Sequence, residues 1–337
     1  MFDINYKPID PTVWQGRIDS ETNFDAFRWH QWVEAIDLRQ DGLTPFTGRL
    51  GFAFIGFCCD EGVKRNKGRA GAAKGPGSIR KELTNLPCRF TKDVRLYDAG
   101  NVYCENISLE ESQAILSKAV AKILELNLFP IVLGGGHEIA FGHYNGILNF
   151  LRQNQPKPRI GIINFDAHFD LRPYPHGGSS GTMFRQIADL CHEQDLLYAY
   201  LCVGIQKYSN TVDLFKTADV LGADYILAKD ISAGDQWNVL EKMDAFIKHK
   251  DHIYVTICSD VFSSAFAPGV SATQPLGLDP EIVLKYLKYI FRSNKVISFD
   301  IAEVSPRFDQ DNTTANLAKV LIFSVINTLC EMHDLSL

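Results

Sequence analysis

Residues 160–172 read IGIINFDAHFDLR, and this stretch predicts both a buried strand and the chemistry that follows it. The run from Ile160 to Ile163 is apolar throughout, which is typical of a strand covered on both faces of a parallel sheet. Asp166, His168 and Asp170 come next, at alternate positions. In an extended chain these three side chains would point to the same face. Because carboxylates and imidazoles bind metal ions, the stretch predicts a set of metal ligands at the end of a strand.

Three other apolar runs of strand length also lead into polar residues. FPIVL (129–133) leads into GGGHE, IYVTI (253–257) leads into CSD, and VISF (296–299) leads into DIAE, which ends at Glu303. The carboxyl ends of parallel strands lie at one edge of a sheet, so we expect these groups to converge there. Two imidazoles and three carboxylates suit a pair of divalent cations about 3.5–4 Å apart, with Mn favoured and Fe, Co or Zn also compatible. The predicted ligands are His137, Asp166, His168, Asp170 and Asp260. Taken singly, Glu138 and His143 are more typical of residues that satisfy a core.

The spacing of apolar residues along the chain predicts an α/β fold. Further strands are expected at Leu50–Phe57, Leu197–Val203 and His252–Ile257, and helices at Ser108–Asn127 and Asp279–Phe291. Buried strands that alternate with helices indicate one three-layer domain with a mostly parallel central sheet, assigned to residues 48–337. Residues 1–47 lack the alternation and are predicted to be an N-terminal extension packed on this core.

Composition limits the classes of partner. The 337 residues are 46% hydrophobic and 22% charged, which excludes a disordered, collagenous or coiled-coil chain. The net charge of −6 gives no reason to expect a nucleic-acid partner, so a small-molecule substrate is favoured. Eight scattered cysteines without C-x-x-C, and no visible export signal, indicate a cytoplasmic protein. The apolar segment 320–329 is expected to be too short for a membrane span, which needs about 20 residues. A homo-oligomer is left open.

Several motifs carry a resemblance to a known family. GGGHE, NFDAHFDLR (164–172) and AFAPGVSA (265–272) resemble the ureohydrolase superfamily, which includes arginase and agmatinase. The stretches WQGRID (14–19), DEGVKRNKGRAGAAKGPGSIRKELTNLP (60–87) and CVGIQKYSNT (202–211) are similar to formimidoylglutamases within it. The resemblance extends from about residue 14 to about residue 320.

This resemblance implies an arginase-like fold, two Mn²⁺ ions per chain, and hydrolysis of N-formimino-L-glutamate to L-glutamate and formamide in histidine breakdown. It implies metal ligation by the five residues predicted above, with Asp166 as a bridging ligand. Glu303 matches the acid that binds the amidine-type nitrogens of the substrate. Asp170 or Asp260 is expected to carry a proton to the leaving amino group. The alternatives are a ureohydrolase of guanidino compounds, and a metal-poor relative without catalysis.

Two positions depart from the superfamily pattern. Relatives usually carry S-x-D-x-D where this chain has TICSD, so Cys258 stands in place of a bridging aspartate. We include Cys258 among the candidate metal ligands; its alternative role is a buried thiol that fills space, and the second metal position depends on it. The acid/base histidine of arginases has no counterpart in SSGTMFRQ (179–186), and the nearby His176 is predicted to be a loop residue.

The substrate carboxylates require cationic or amide partners. Arg172 lies two residues after Asp170 and is predicted to form a bidentate pair with one carboxylate. Arg69 and Asn210 are further candidates for substrate contacts.

Overall fold

A ten-stranded sheet forms the centre of the protein, as seen in a computed structural model that describes residues 4–337. The strands are β1 (Tyr6–Lys7), β2 (Val33–Ala35), β3 (Leu50–Cys58), β4 (Val94–Tyr103), β5 (Phe129–Leu133), β6 (Ile160–Phe165), β7 (Tyr200–Ile205), β8 (Asp224–Leu227), β9 (His252–Cys258) and β10 (Val296–Ala302). The helices are α1 (Glu61–Arg65), α2 (Gly75–Leu83), α3 (Leu109–Glu125), α4 (Ile139–Leu151), α5 (Met183–Glu193), α6 (Val212–Leu221), α7 (Ala228–Ser232), α8 (Gln236–Lys248), α9 (Pro280–Phe291) and α10 (Thr313–Met332). Short 3-10 helices lie at Pro11–Val13, Phe24–Ala26, Trp29–Gln31, Ala72–Lys74, Lys207–Ser209 and Ser259–Val261.

The strand order confirms the predicted sheet. The order is β1-β4-β3-β5-β10-β9-β6-β7-β8, and β2 also pairs with β4. Every pairing is parallel except that of β1 with β4. The four strands whose ends were predicted to carry the site, β5, β10, β9 and β6, are therefore consecutive neighbours in the middle of the sheet.

Two hydrophobic cores, one on each face of the sheet, make the three layers. Along β3, Phe52 and Phe54 lie in one core, while Ala53 and Ile55 lie in the other. This alternation follows from the two-residue period of a strand. The first core includes the apolar faces of α2, α8, α9 and α10, and the second includes those of α3, α4, α5 and α6. The predicted α/β three-layer architecture is confirmed.

The two predicted helices begin one residue after their predicted starts, because Ser108 and Asp279 are the residues that cap them. Ser108 precedes α3, and its Oγ accepts a hydrogen bond from the Glu111 N–H at 3.1 Å, while the Glu111 side chain accepts one from the Ser108 N–H at 2.8 Å. Asp279 caps α9 in the same way, and Pro280 occupies its first turn. The predicted strand at Leu197–Val203 is wrong at its start: β7 begins at Tyr200. Leu197 is 47% exposed in the loop after α5 and therefore has no buried face to pair.

The described part of the N-terminal region, residues 4–47, adds two strands to the sheet. Tyr6 of β1 pairs with Val102, and Val33 of β2 pairs with Leu96, so both strands line the outer edge of β4. A domain boundary between residues 47 and 48 stays a prediction.

A buried ion pair ties α2 to β4. The Arg80 guanidinium donates hydrogen bonds to both oxygens of Asp98, at 2.7 and 2.9 Å, and to Asn101 Oδ1 at 2.7 Å. Trp14 Nε1–H also donates to Asp98, at 2.8 Å. Both members of the pair are at most 1% exposed, and each has several hydrogen-bond partners.

The apolar segment 320–329 belongs to a longer helix than expected. It lies within α10, whose 20 residues are long and apolar enough to cross a membrane by length and composition, so the prediction of a short segment was wrong. Two of its polar side chains bond within the helix: Asn327 Nδ2–H donates to Glu331 Oε1 and Thr328 Oγ1–H donates to the Ser324 carbonyl, both at 2.7 Å. The helix packs against α2 and α9 and buries Leu321, Ile322 and Val325. This is the placement of a core helix.

Candidate metal centre and substrate cavity

The ends of four neighbouring strands bring the predicted ligands together. His137 follows β5, Asp166 follows β6, Cys258 ends β9, and Glu303 follows β10. The glycines before His137 allow close backbone contact at this edge: Gly135 N–H donates to the Phe57 carbonyl at 2.8 Å. A Cβ on Gly135 would lie 1.9 Å from the Cys59 carbonyl oxygen, so only glycine fits there.

Asp166 lies at the centre of the cluster. His137 Nδ1 is 3.0 Å from Asp166 Oδ2, and His168 Nδ1 is 3.4 Å from Asp166 Oδ1. Asn164, on β6, donates to Asp166 Oδ2 at 3.2 Å and to the Tyr200 hydroxyl at 3.0 Å. Asp166 is fully buried, so its two oxygens are held towards two different histidines.

The ligand atoms fall into two groups that share Asp166. His137, Asp166 and Cys258 form one group, and Asp166, His168 and Asp260 form the other; within each group the atoms lie within 4.8 Å of one another. Asp170 Oδ2 lies 3.2 Å from His137 Nδ1, on the side of the first group. Asp260 Oδ2 lies 3.2 Å from His168 Nδ1. The structure thus brings all six predicted metal ligands together.

The D-x-H-x-D segment reaches this arrangement by a different backbone from the one expected. It is not extended: the chain bends after β6, and Asp170 has a φ of 52°. Asp166 Oδ1 accepts a hydrogen bond from the His168 N–H at 2.7 Å, which closes a local turn. The prediction of an extended comb was wrong because this local hydrogen bond competes with strand geometry. The side chains converge through the turn instead.

The electrostatics of the cluster favour cations. Burial alone would lower the pKa of both histidines, but the neighbouring aspartates outweigh it and raise the pKa of His137 and of His168 well above the usual value. Burial and the charge of Asp166 raise the pKa of Asp260. Burial and the surrounding carboxylates raise the pKa of the Cys258 thiol as well. Buried carboxylates this close together require a positive charge among them. The carboxylate, imidazole and thiol donors of the cluster fit a pair of divalent cations.

A buried network that sequence reasoning missed holds His137 from behind. Its Nε2 lies 3.0 Å from Thr256 Oγ1, and that hydroxyl donates to Asp300 Oδ1 at 2.6 Å. Since the Thr256 hydrogen points to Asp300, His137 Nε2–H is the donor to Thr256, and Nδ1 is left to face the ligand group. Asp300 Oδ2 accepts from the Tyr254 hydroxyl and lies 2.6 Å from His143 Nδ1. The signal in the sequence was the presence of polar residues inside two otherwise apolar strands, within VTI of β9 and SFD of β10.

Among the residues that line the cavity, Glu303 and Asp260 each have one buried carboxylate oxygen without a hydrogen-bond partner. Glu303 Oε1 accepts from the His137 N–H at 2.9 Å, whereas Oε2 has none. Asp260 Oδ1 is likewise without a partner. Glu303 has a φ of 64°, a region that non-glycine residues rarely adopt, and backbone strain of this kind is often found at functional sites. Burial, followed by the charge of Glu138, raises the pKa of Glu303 well above the usual value.

A cavity of about 290 Å³ opens onto the cluster. His137, His168, Asp170, Cys258, Asp260 and Glu303 lie in its wall, as do three cationic side chains, Lys67, Arg69 and Arg172. Arg172 Nη1 lies 3.2 Å from Asp170 Oδ1. Arg69 donates to the carbonyls of Ser271 and Val270 at 2.9 and 2.7 Å, and its guanidinium lies over the Phe308 ring. The two predicted arginines are therefore at the cavity.

Three other polar residues lie elsewhere. Asn210 does not line the cavity, and we correct its predicted role: its Oδ1 accepts from the Phe169 N–H, and its amide donates to the carbonyls of Ala167 and Gln206. Asn210 supports the metal-ligand segment rather than the substrate. His176 is exposed and outside the cavity wall, in agreement with a loop role. Glu138 is buried behind the site, and its Oε1 accepts from the Gly62 N–H at 2.8 Å.

Comparison with known proteins places the chain in one family. A profile of the arginase family matches residues 50–327, and the chain belongs to that family. Among its relatives, the formimidoylglutamase of Clostridium tetani (strain Massachusetts / E88) is 68% identical over 338 residues, covering 100% of both chains. The formimidoylglutamase of Geobacillus thermodenitrificans (strain NG80-2) is 44% identical over 313 residues, covering 93% of this chain and 94% of that protein.

Solved structures show the same fold. The formimidoylglutamase from Bacillus subtilis superposes with a TM-score of 0.76 at 22% identity, covering 94% of this chain and 96% of that chain. The Trypanosoma cruzi formiminoglutamase with Mn²⁺ superposes with a TM-score of 0.72 at 23% identity, covering 83% and 94%.

Proposed function

We propose that this protein hydrolyses N-formimino-L-glutamate to L-glutamate and formamide. The observation that carries the proposal is the cavity, which joins a floor of metal ligands to the cationic side chains Lys67, Arg69 and Arg172. A substrate with one amidine-type group and two carboxylates matches both parts. The relatives that are 68% and 44% identical are named formimidoylglutamase, which supports this substrate over a guanidino compound.

The resident metal of this proposal is a pair of Mn²⁺ ions. The T. cruzi neighbour is described with Mn²⁺, and the carboxylate and imidazole donors of the present site suit that ion. When bound, such a pair supplies Lewis-acid activation of water at neutral pH. The residues that would hold the ions are His137, Asp166, His168, Asp170, Cys258 and Asp260. This completeness of the ligand set argues against a metal-poor, non-catalytic relative.

Glu303 orients the reacting group. Its Oε1 is already held by the His137 N–H, so the unpartnered Oε2 is the acceptor that faces the formimino nitrogen. The Glu303 N–H donates to the Gly135 carbonyl at 2.8 Å, which fixes the strained backbone. Because Glu303 would hold the amidine group next to the metal ligands, water would attack its carbon at a lower cost in entropy.

Asp260 is the better placed of the two predicted proton carriers. Asp170 has both oxygens engaged, one near His137 and the other with Arg172. Asp260 Oδ2 lies beside His168 Nδ1, whereas its Oδ1 has no hydrogen-bond partner. Asp260 Oδ1 is therefore assigned to take a proton from the attacking water and deliver it to the amino group of the departing glutamate.

Arg172 binds a substrate carboxylate. Its Nη1 contacts Asp170, and the other guanidinium N–H groups remain for a ligand in the cavity. We expect Arg172→Gln to raise KM for formiminoglutamate about 10–100-fold, as for a lost charge-assisted hydrogen bond of ~1.5–3 kcal/mol. Arg185→Gln is the matched control, because Arg185 pairs with Asp189 on the outer face of α5. Equal KM values for the two variants would remove Arg172 from the proposal.

The test is product release by the Mn²⁺-loaded protein. Formiminoglutamate should yield formamide and glutamate in equal amounts, and removal of the metal with a chelator should stop turnover. Arginine and agmatine, assayed in parallel, should yield no urea. Urea from either compound, or no formamide from protein with two bound Mn²⁺ ions, would contradict the proposal.

The metabolic role and the cellular location of the protein are also proposals. A role in histidine degradation follows from the substrate, and a cytoplasmic site agrees with the cysteine pattern. A homo-oligomer, the lack of membrane and nucleic-acid partners, and a domain spanning residues 48–337 stay predictions.

A further inference from the structure

The two ligand groups around Asp166 differ in their donor atoms. One, here called the sulfur position, joins His137, Asp166 and Cys258; the other, the oxygen position, joins Asp166, His168 and Asp260. Each group places a histidine nitrogen and the shared carboxylate within 4.8 Å of its third donor. Asp170 also lies on the side of the sulfur position, 3.2 Å from His137 Nδ1. The donor that distinguishes the two positions is therefore the Cys258 thiol, which the oxygen position lacks.

We propose that Cys258 is a metal ligand and that the sulfur position, which also accepts Mn²⁺, binds a softer divalent cation such as Zn²⁺, Co²⁺ or Fe²⁺ more tightly. The inference rests on the proposed function, because it concerns the same metal centre. Thiolate ligands favour softer ions, whereas carboxylates suit Mn²⁺. The oxygen position keeps its preference for Mn²⁺, and the centre is able to hold two different metals. Binding at the sulfur position releases the thiol proton to the solvent as the metal–sulfur bond forms.

The surroundings of Cys258 separate this role from that of a space-filling thiol. Cys258 is only 2% exposed, yet it lines the cavity together with His137, Asp170 and Asp260. A buried cysteine that only fills space is expected among apolar side chains. Its sulfur atom instead lies within 4.8 Å of a ring nitrogen of His137 and a carboxylate oxygen of Asp166. Its strand position is also fixed, since Cys258 pairs in register with Ala302, directly before Glu303.

Cys202 provides a matched control within the same chain. It is buried next to the site, and its thiol donates to the His168 carbonyl at 3.3 Å. It belongs to neither ligand group. A cysteine that is near the metal but does not ligate it should therefore leave the metal spectrum unchanged when it is replaced by serine.

The experiment is a titration of the metal-free, full-length protein with Co²⁺, followed by absorption spectroscopy. A cobalt–thiolate bond gives a charge-transfer band in the near ultraviolet, which oxygen and nitrogen donors do not give. We expect the band to saturate at one Co²⁺ per chain, to remain in Cys202→Ser, and to be absent in Cys258→Ser and Cys258→Asp. In competition, Cys258→Asp should bind Zn²⁺ less tightly than the wild type and Mn²⁺ at least as tightly.

The outcomes distinguish this inference from the proposed function. Bound Co²⁺ without the band, no Co²⁺ binding, or a band that survives in Cys258→Ser would overturn the inference. Formamide release by the same preparation loaded with Mn²⁺ would leave the proposed function standing in that case. A band that depends on Cys258, in a protein that releases no formamide, would support the sulfur position and refute the substrate. If Cys258→Ser fails to fold, comparison of the wild type with Cys258→Asp still shows whether the cobalt band depends on Cys258.

Discussion

Replacing Thr256 by valine tests whether the buried network behind His137 controls metal binding. Valine keeps the volume and branching of threonine but removes the hydroxyl. The change leaves His137 Nε2–H without its acceptor at 3.0 Å and Asp300 Oδ1 without its donor at 2.6 Å. Without a fixed Nε2–H, the ring no longer holds Nδ1 towards Asp166 and Asp170.

The substitution should change both the Mn²⁺ affinity and the thermal stability. Loss of an outer partner of a metal-ligating histidine typically lowers metal affinity 10–100-fold, so we expect a Kd for Mn²⁺ raised by about that factor. Each of the two buried polar groups left without a hydrogen-bond partner costs about 1–3 kcal/mol of stability. With an unfolding entropy of about 0.7 kcal/mol per kelvin for a chain of this length, the Tm of the metal-free protein should fall by about 3–8 °C.

Isothermal titration with Mn²⁺ and thermal unfolding of the metal-free protein measure the two effects separately. Thr256→Ser is the matched control, because it keeps the hydroxyl, and it should restore the affinity of the wild type. An unchanged Mn²⁺ affinity in Thr256→Val, alongside a lowered Tm, would show that the network only supports the fold and would refute this reasoning.

Three further predictions concern other parts of the molecule. Arg80→Met leaves the buried Asp98 carboxylate without its cation, so the free energy of unfolding in urea should fall by about 3–5 kcal/mol; an unchanged midpoint would contradict this. Glu303→Gln keeps an acceptor for the His137 N–H but replaces the acceptor Oε2 by an NH₂ donor, so kcat/KM should fall at least tenfold, or ~1.4 kcal/mol, while Mn²⁺ affinity holds; full activity would exclude its role. A hydrogen bond from Cys59 lowers the pKa of Cys104 to about 7, so its alkylation rate should rise with pH around a midpoint near 7, and Cys59→Ala should move that midpoint higher.

The strands that sequence reasoning identified are those buried on both faces. β5, β6, β9 and β10 are apolar almost throughout, and their pattern alone places them inside a covered parallel sheet. β4 was missed because VRLYDAGNVY mixes charged and apolar residues. Its Asp98 is buried only because Arg80, 18 residues earlier in the chain, reaches it. A pairing between distant positions leaves no periodic signal. β8 was missed because its four residues, DYIL, are too few to show a pattern.

The site also has a part that the sequence could predict and a part that it could not. Residue types at strand ends were enough to predict which side chains would meet, since the edge of a parallel sheet brings them together whatever the loops do. The turn at Asp166 and the positive φ of Asp170 could not be predicted, because they depend on hydrogen bonds formed after folding. Asn210 was predicted as a substrate contact, whereas its amide is fully engaged with the backbone of residues 167, 169 and 206. An asparagine in a loop gives the same signal for both roles.

The two short N-terminal strands have a consequence for solubility. β1 and β2 occupy the outer edge of β4, pairing at Tyr6–Lys7 and Val33–Ala35. A chain shortened to begin at residue 48 would leave that edge as a row of open N–H and C=O groups, which readily recruit strands from other molecules. The N-terminal region therefore protects the sheet against aggregation. Truncated proteins of this kind should precipitate through edge-to-edge pairing even though they keep every residue that lines the cavity.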